Sequence, residues 1–121
     1  DIATLAGRCI IIMNHERRRF PPKVHYITSP GFGDGWNWRK EHGLSGGGPS
    51  RVITSMGIFA FDSETKEMTL TYNHPGVSVD EIKQETGWPL RVSPEIQQTP
   101  APTREELAAV RKYDPKRVWT S

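Results

Sequence analysis

The sequence is poor in cysteine and has no long hydrophobic run. Its single cysteine, Cys9, excludes an internal disulfide and favours a reducing compartment, which predicts a cytoplasmic location. The longest apolar run, from Cys9 to Met13, is far shorter than the roughly 20 residues that a helix needs to cross a bilayer. No charged and then apolar leader opens the chain. Neither a membrane partner nor a signal peptide is therefore expected.

Charge of one sign is also scarce, because the formal net charge is only +2 over 121 residues. A nucleic-acid partner is not expected, since that function needs a wide basic face with interleaved aromatic residues. The densest basic patch is Arg17, Arg18 and Arg19. It is interpreted either as a solvated loop or as a phosphate contact, since guanidinium groups match phosphate oxygens.

Local motifs for metal binding or nucleophilic catalysis are missing. The histidines His15, His25, His42 and His74 show no metal-ligand spacing, so no metal site is predicted. No Gly-x-Ser-x-Gly elbow is present, and Cys9 lies within an apolar run where a thiol is buried and inert. Local motifs alone therefore identify no reaction.

Residues 29–49 form a long glycine-rich segment that contains Trp36 and Trp38. Its triple glycine, Gly46 to Gly48, would let backbone amides approach a phosphate or an oxyanion. It matches neither a P-loop nor a dinucleotide fingerprint. A flexible loop that enters a strand is the alternative interpretation.

The hydrophobic pattern predicts an α/β domain that covers residues 1–121. The continuous apolar run from Cys9 to Met13 is typical of a strand buried on both faces, as in a parallel sheet. Residues 24–28 are a second strand candidate, and residues 51–61 and 68–72 form a β-hairpin. The fold class is thus α/β, with a mostly parallel sheet, covering helices and a β-hairpin.

Two helices carry start signals in the sequence. Ser78 and Glu81 have the spacing of a capping box, and Gly87 is placed to end that helix. Thr103 and Glu106 repeat the spacing before a second helix. A short strand, residues 90–92, lies between the two helices.

Several short stretches, read in order along the chain, carry a family resemblance. They are Ile12-Met13-Asn14-His15, Arg18-Arg19-Phe20, Thr28-Ser29-Pro30-Gly31, Gly48-Pro49, Arg51-Val52-Ile53-Thr54-Ser55-Met56-Gly57-Ile58-Phe59, His74-Pro75-Gly76-Val77-Ser78, Thr86-Gly87 and Asp114-Pro115. By their order and spacing, the chain resembles the C-terminal part of the B subunit of class I coenzyme A-transferases of the glutaconate type.

The resemblance implies an enzyme that moves coenzyme A between an acyl-CoA and a carboxylic acid through a glutamyl-CoA thioester. The coenzyme A thioester is then a substrate, and no cofactor is bound permanently. In the family the nucleophilic glutamate lies in the first part of the B subunit, and a glycine-rich oxyanion loop directly precedes the position of Asp1. The resemblance therefore implies no catalytic residue in this chain, which is expected to be inactive without the A subunit and the N-terminal part of the B subunit.

The resemblance also places one wall of the substrate site in this chain. Asp1 would follow the oxyanion loop, and Ser29, Pro30 and Gly31 would end a strand beside the ligand. Arg18 and Arg19 are candidates for a coenzyme A phosphate. Residues 32–47 depart most from the family pattern, which favours a role in substrate fit or in a subunit contact.

Two alternatives remain open at this point. A family member that hydrolyses a coenzyme A thioester, or opens a ring linked to coenzyme A, would share these motifs. A non-enzymatic binding module would use the basic patch and the tryptophans. Transfer of coenzyme A to an added acid would exclude the first alternative. Loss of heparin retention at moderate salt, together with co-purification with an acidic partner subunit, would exclude the second.

Overall fold

The computed structural model describes residues 7–24, 27, 29–44 and 46–117. This part of the chain contains five strands, three α-helices and one 3-10 turn, Arg17–Arg19. The elements are, in order, β1 (Cys9–Met13), α1 (Trp38–Glu41), β2 (Pro49–Thr54), β3 (Gly57–Phe61), β4 (Met68–Asn73), α2 (Val79–Gln84), β5 (Arg91–Gln98) and α3 (Arg104–Tyr113).

The five strands form one mixed sheet in the order β1-β2-β3-β4-β5. The outer pairs β1–β2 and β4–β5 are parallel, and the inner pairs are antiparallel. Residues 62–67 join β3 to β4, as the predicted hairpin requires. The turn is fixed by Asp62, whose Oδ1 accepts the backbone N–H groups of Glu64 and Thr65 at 2.9 Å each. The predicted α/β class is confirmed.

The hydrophobic core lies on one face of the sheet. Val52, Phe59 and Leu70 pair across β2, β3 and β4, so their side chains point to the same face. Ile82 of α2 and Leu90 close the cluster. Phe59, Leu70 and Ile82 have no exposed surface, and each such side chain contributes about 1.5–3 kcal/mol by leaving water.

Strand β1 is less buried than its sequence predicts. It is an edge strand that pairs only with β2, and 49% of Ile10 and 78% of Ile12 are exposed. Cys9 is half-buried rather than enclosed. The prediction of burial on both faces is therefore wrong for the described part of the chain, because nothing within it covers this strand.

The face of the sheet opposite the core carries a second apolar row. Ile12, Ile53, Ile58 and Tyr72 are register partners across β1 to β4, so they share this face. None of the four is buried. We call this row, together with Ile10, the open face.

The remaining strand predictions are partly wrong. Val24 and Ile27 lie in no strand, and the rest of the candidate at 24–28 is outside the described residues. The predicted strand at 51–61 is split after Thr54, whose Oγ1 accepts the backbone N–H of Gly57 at 3.1 Å and fixes a tight turn. Strand β5 extends well beyond the predicted residues 90–92, because it pairs with β4 at both of its ends, through Arg91 and Val92 and again through Gln97 and Gln98.

The helix starts are as predicted, but one end is not. Thr103 and Glu106 form the complete capping box, and the hydroxyl of Ser78 accepts the first-turn N–H of α2. Helix α2 ends at Gln84, so Gly87 does not cap it. The Gly87 N–H donates to the Phe20 carbonyl at 2.7 Å, and a Cβ at this position would lie 2.3 Å from that oxygen. The glycine is required by this close approach.

We predict that Leu70→Ala lowers the free energy of unfolding by about 2–5 kcal/mol, because it leaves a cavity in the centre of the core. The matched control is Leu107→Ala on α3, an exposed leucine whose loss costs about 0.5 kcal/mol. Urea unfolding followed by circular dichroism measures both values. Equal effects of the two substitutions would contradict this description of the core.

Candidate functional site

The carboxyl ends of β1, β2, β4 and β5 lie at one edge of the sheet. This follows from the pairing, since β2 is parallel to β1 and, across two antiparallel pairs, also parallel to β4. Polar residues follow at each end: Asn14 and His15 after β1, Ser55 after β2, His74 after β4 and Thr99 after β5. Ligands of open α/β sheets bind at this edge, which makes it the candidate site.

Among the titratable residues at this edge, His15 is the most deeply buried, with 5% of its surface exposed. Its Nδ1 lies 3.1 Å from Oγ1 of Thr54, and its Nε2 lies 3.1 Å from Oγ1 of Thr86. The ring stacks on Phe20 at 4.3 Å between centroids. His15 thereby connects the end of β1 to the end of β2 and to the segment after α2.

The contacts of the Thr86 hydroxyl indicate that Nε2 of His15 carries a proton. Thr86 donates its hydroxyl to the carbonyl of Ile82 at 2.7 Å, so it accepts from the Nε2–H of His15. Oγ1 of Thr54 accepts two backbone N–H groups at 3.1 Å, and its own proton can reach the Gly57 carbonyl at 3.3 Å or Nδ1 of His15 at 3.1 Å. Burial lowers the pKa of His15, and the Glu85 carboxylate offsets this only in part.

His74 binds the same turn from the other side. Its Nε2 donates to the carbonyl of Thr54 at 2.8 Å, and its Nδ1 lies 2.8 Å from Oγ1 of Thr99. Its backbone N–H donates to the carbonyl of Met56 at 2.9 Å. Both nitrogens of both rings are thus occupied by protein atoms. The two histidines position this edge and are not available as general bases.

The structure places the predicted site residues at different edges of the sheet. Asp1 lies outside the described residues. Ser29, Pro30 and Gly31 end no strand: the Gly31 carbonyl accepts from Arg39 Nη1 at 2.7 Å, and a Cβ at Gly31 would lie 3.6 Å from the ring of Pro49. This segment therefore lies beside the start of β2, at the edge opposite to the histidines.

Arg18 and Arg19 follow the end of β1, at the histidine edge. Both bind Glu16, with N–O distances of 2.5 Å and 3.6 Å, and the Arg18 contact holds the pKa of Glu16 below its usual value. Arg17 donates to the carbonyl of Gln84 at 3.0 Å, at the C-terminus of α2 where a cation is favourable. The arginines and the segment at 29–31 are not brought together, and their role in substrate binding stays a prediction.

No glutamate of the chain has the environment of a nucleophile in the described structure. None of the glutamates is buried. Across the described residues, no cluster of three or more His, Cys, Asp or Glu side chains has the geometry of a metal site. In the same part of the chain, no helix is long and apolar enough to span a membrane.

The ring contacts of His15 and His74 are the functional geometry that sequence reasoning missed. His74 begins a turn, in which the Val77 N–H donates to the His74 carbonyl at 3.0 Å. The partners Thr54, Thr86 and Thr99 lie at separations that follow no sequence period, so no local pattern indicates the contacts. Only the pairing of the strands brings them together.

Comparisons with known proteins identify the class to which this α/β sheet belongs. A model of the Coenzyme A transferase family matches residues 1–85. The B subunit of the 3-oxoadipate CoA-transferase of Pseudomonas knackmussii is 37% identical over 94% of this chain and 44% of its own length. The B subunit of the glutaconate CoA-transferase of Acidaminococcus fermentans is 42% identical over 88% of this chain and 42% of its own length.

The fold comparison agrees with the sequence comparison. The crystal structure of glutaconate coenzyme A-transferase from Acidaminococcus fermentans superposes with a TM-score of 0.86 and 37% identity, over 99% of this chain and 46% of that chain. The chain therefore belongs to the coenzyme A transferase family. It spans less than half of the length of the relatives that it matches.

We predict that the chain loses stability as the pH falls through 6.5, the ordinary pKa of histidine. The unfolded state binds the His15 proton at that pH and the folded state does not, so acid favours unfolding. Urea unfolding at about pH 7.5 and about pH 5.5 measures the difference.

Two variants test the assignment to His15. His15→Gln should remove most of the loss between the two pH values, at a cost of about 1–3 kcal/mol at the higher pH from unsatisfied threonine hydroxyls. His42→Gln, at an exposed histidine of the loop after α1, should leave the loss unchanged. If the loss of stability between the two pH values is the same in both variants, a group other than His15 causes it.

Proposed function

We propose that this chain is part of the B subunit of a heteromeric CoA-transferase, which moves coenzyme A from an acyl-CoA to a carboxylic acid through a glutamyl-CoA thioester. The observation that carries the proposal is the TM-score of 0.86 with 37% identity to glutaconate coenzyme A-transferase, over 99% of the chain. The coenzyme A thioester is a substrate in this reaction, and no cofactor is held permanently. The single cysteine supports a cytoplasmic location.

The chain contributes structure and not the nucleophile to this reaction. A carboxylate that attacks a thioester needs a desolvated site and donors for the oxyanion. The glutamates of this chain are exposed or half-exposed, and several serve other roles, such as Glu16 with Arg18 and Glu106 in its capping box. The catalytic glutamate is therefore expected from the N-terminal part of the B subunit.

The open face supports the proposal that a further layer covers the sheet. Strands buried on both faces have the continuous apolar composition of β1, yet Ile12 and Ile10 are exposed in the described structure. More than half of the related transferase chain lies outside the matched region, which is enough for such a layer. We propose that the N-terminal part of the B subunit covers this face and pairs with β1.

The A subunit is the second proposed partner. Both relatives named above are B subunits, which implies a subunit of a different kind in each enzyme. The proposed active site then forms only in the assembly. An active site that forms only in the assembly explains why the histidine edge of the described chain is fixed in position and yet has no histidine nitrogen free to act as an acid or a base.

We predict that the 121-residue chain alone transfers no coenzyme A, whereas a complete B subunit containing it, expressed with an A subunit, does. The assay follows coenzyme A moving from an acyl-CoA to an added carboxylic acid by mass spectrometry. Free coenzyme A without acyl transfer to the acid would instead favour a hydrolase of the same family. Activity of the isolated chain would contradict the proposal.

We predict that Ile12→Lys weakens association with the N-terminal part of the B subunit, supplied as a separate chain, by at least about tenfold. A lysine buried on β1 would lose its hydration without gaining a partner. Because Ile12 is exposed in this chain, its own unfolding midpoint should not change. Val24→Lys, at a loop residue that is also exposed, is the control. Equal binding by both variants would show that the open face is not the docking surface.

A further inference from the structure

Helix α3 differs from the other two α-helices of the described chain, because none of its residues is buried. Helix α1 buries Arg39 and helix α2 buries Ile82, whereas residues 100–113 are all exposed. An isolated helix shorter than about 12–15 residues is only marginally stable in water. The ten residues of α3 are therefore expected to need a surface that the described residues do not provide.

The start of α3 is nevertheless fixed by its own sequence. The Thr103 N–H donates to Oε1 of Glu106 at 3.3 Å, and the Glu106 N–H donates to Oγ1 of Thr103 at 3.1 Å. These two bonds satisfy backbone groups of the first turn and determine where the helix begins. They supply no apolar burial, so the helix still lacks the packing that stabilises most helices in proteins.

The connector in front of α3 is anchored at one end and stiff. The Thr99 N–H donates to the carbonyl of Asn73 at 2.9 Å, and Oγ1 of Thr99 lies 2.8 Å from Nδ1 of His74. Pro100 and Pro102 follow, and each proline restricts its own φ and the conformation of the residue before it. Helix α3 consequently leaves the sheet at the histidine edge, in a direction that the connector constrains.

One side of α3 is an apolar stripe. Leu107, Val110 and Tyr113 recur every three residues, so they lie within about 120° of the helix circumference. Their exposed fractions are 37%, 41% and 82%. We call these three residues the α3 stripe. Apolar side chains with this spacing are the anchors by which an amphipathic helix enters a groove of another protein.

The border of the α3 stripe is basic. Arg104 and Arg111 are about two helical turns apart, so they lie on the same side of the helix, next to Leu107. Neither arginine has an ion pair or a hydrogen bond with another described residue. The carboxylate nearest the stripe, that of Glu106, is occupied by the capping box. A complementary partner therefore has acidic residues beside an apolar groove.

The charges of α3 disfavour a second copy of the same helix as its partner. In an antiparallel two-fold pair, the same border of each helix meets its copy. This would place Arg104 of one chain next to Arg111 of the other, and like charges opposed across an interface are unfavourable. A parallel pair would instead align the two helix dipoles, which is also unfavourable. The stripe is thus better matched by a different polypeptide.

Helix α3 also lies outside the stretch that the family model matches. That match ends at residue 85, before β5 and α3 begin. The match to glutaconate coenzyme A-transferase covers 99% of the chain and so includes α3. The open face, which we assign to the N-terminal part of the B subunit, belongs to β1 to β4, within the stretch that ends at residue 85. Helix α3 is therefore left for a partner of another kind.

We propose that α3 docks into an apolar groove with an acidic rim on the A subunit, with Leu107, Val110 and Tyr113 in the groove and Arg104 and Arg111 on the rim. Tyrosine and arginine are among the residue types that contribute most to binding energy at protein interfaces. The stiff connector supports the proposal as well, because less freedom is lost on docking when the helix is already oriented. The inference rests on the proposed heteromeric function and assigns the subunit contact to one helix.

The test measures the affinity of a complete B subunit that contains this chain for its separately purified A subunit, by biolayer interferometry. Val110→Glu should weaken binding at least about tenfold, because the new carboxylate would lose its hydration in an apolar groove beside acidic groups. Ala108→Glu introduces the same residue on the opposite side of α3 and should leave the affinity unchanged. Circular dichroism of each variant confirms that it remains folded.

Matched charge variants test the acidic rim. Arg111→Glu should weaken binding of the A subunit about tenfold and should make the affinity less sensitive to salt, since an attractive pair is replaced by a repulsive one. Lys112→Glu reverses the same charge one residue further along, on the side of α3 away from the stripe, and should change neither the affinity nor its salt dependence.

Each other occupant of the α3 stripe gives a different result. The inference would be overturned if Val110→Glu weakened binding of the separate N-terminal part of the B subunit, or if it dissociated a dimer of the 121-residue chain. Unchanged affinity for the A subunit in both Val110→Glu and Arg111→Glu would overturn it as well. In these cases, association and coenzyme A transfer by the unmodified subunits would still support the proposed function. No association between the unmodified subunits would reject both.

Discussion

The geometry of the described fold depends on the hydrogen bonds at Thr54. Its hydroxyl accepts the two amides that turn β2 into β3 and lies 3.1 Å from Nδ1 of His15, while its carbonyl accepts from His74. Because these groups lie away from water, each one left unsatisfied would cost about 1–3 kcal/mol. A single residue thereby fixes the end of β1, the first turn of the antiparallel strands and the position of β5 through Thr99. Displacement of Thr54 would release all three connections at once.

The hydrogen bonds around Thr54 also explain why the sheet is packed on one face only. His15 and Phe20 extend the core of Phe59 and Ile82 toward the end of the sheet, so that face is closed by the chain itself. The other face has the same apolar composition without a cover, which is most evident at Ile12. Exposed apolar strands at a sheet edge favour association. Both observations support an assembly in which further polypeptide covers the open face.

The sequence predicts features that depend on neighbours along the chain and fails where distant segments meet. The capping box of Thr103 is local, and it is correct. Gly87 has the local signature of a helix end, yet it is required by the distant carbonyl of Phe20. The prediction that β1 is buried on both faces rests on its apolar composition. Composition indicates that the strand is covered in the assembled protein, and it does not show whether this segment of the chain supplies the cover. The resemblance to the transferases is detectable because it combines many short matches in a fixed order.

The two edges of the sheet differ in a way that bears on function. At the histidine edge every ring nitrogen of His15 and His74 has a protein partner. The two rings are therefore held rigidly and have no free nitrogen for chemistry. At the opposite edge, cations and the indole of Trp36 face open volume. A rigid edge suits a surface against which another part of an enzyme is positioned. This is the role proposed for the chain in the assembled B subunit, where a glutamate from elsewhere must be placed accurately.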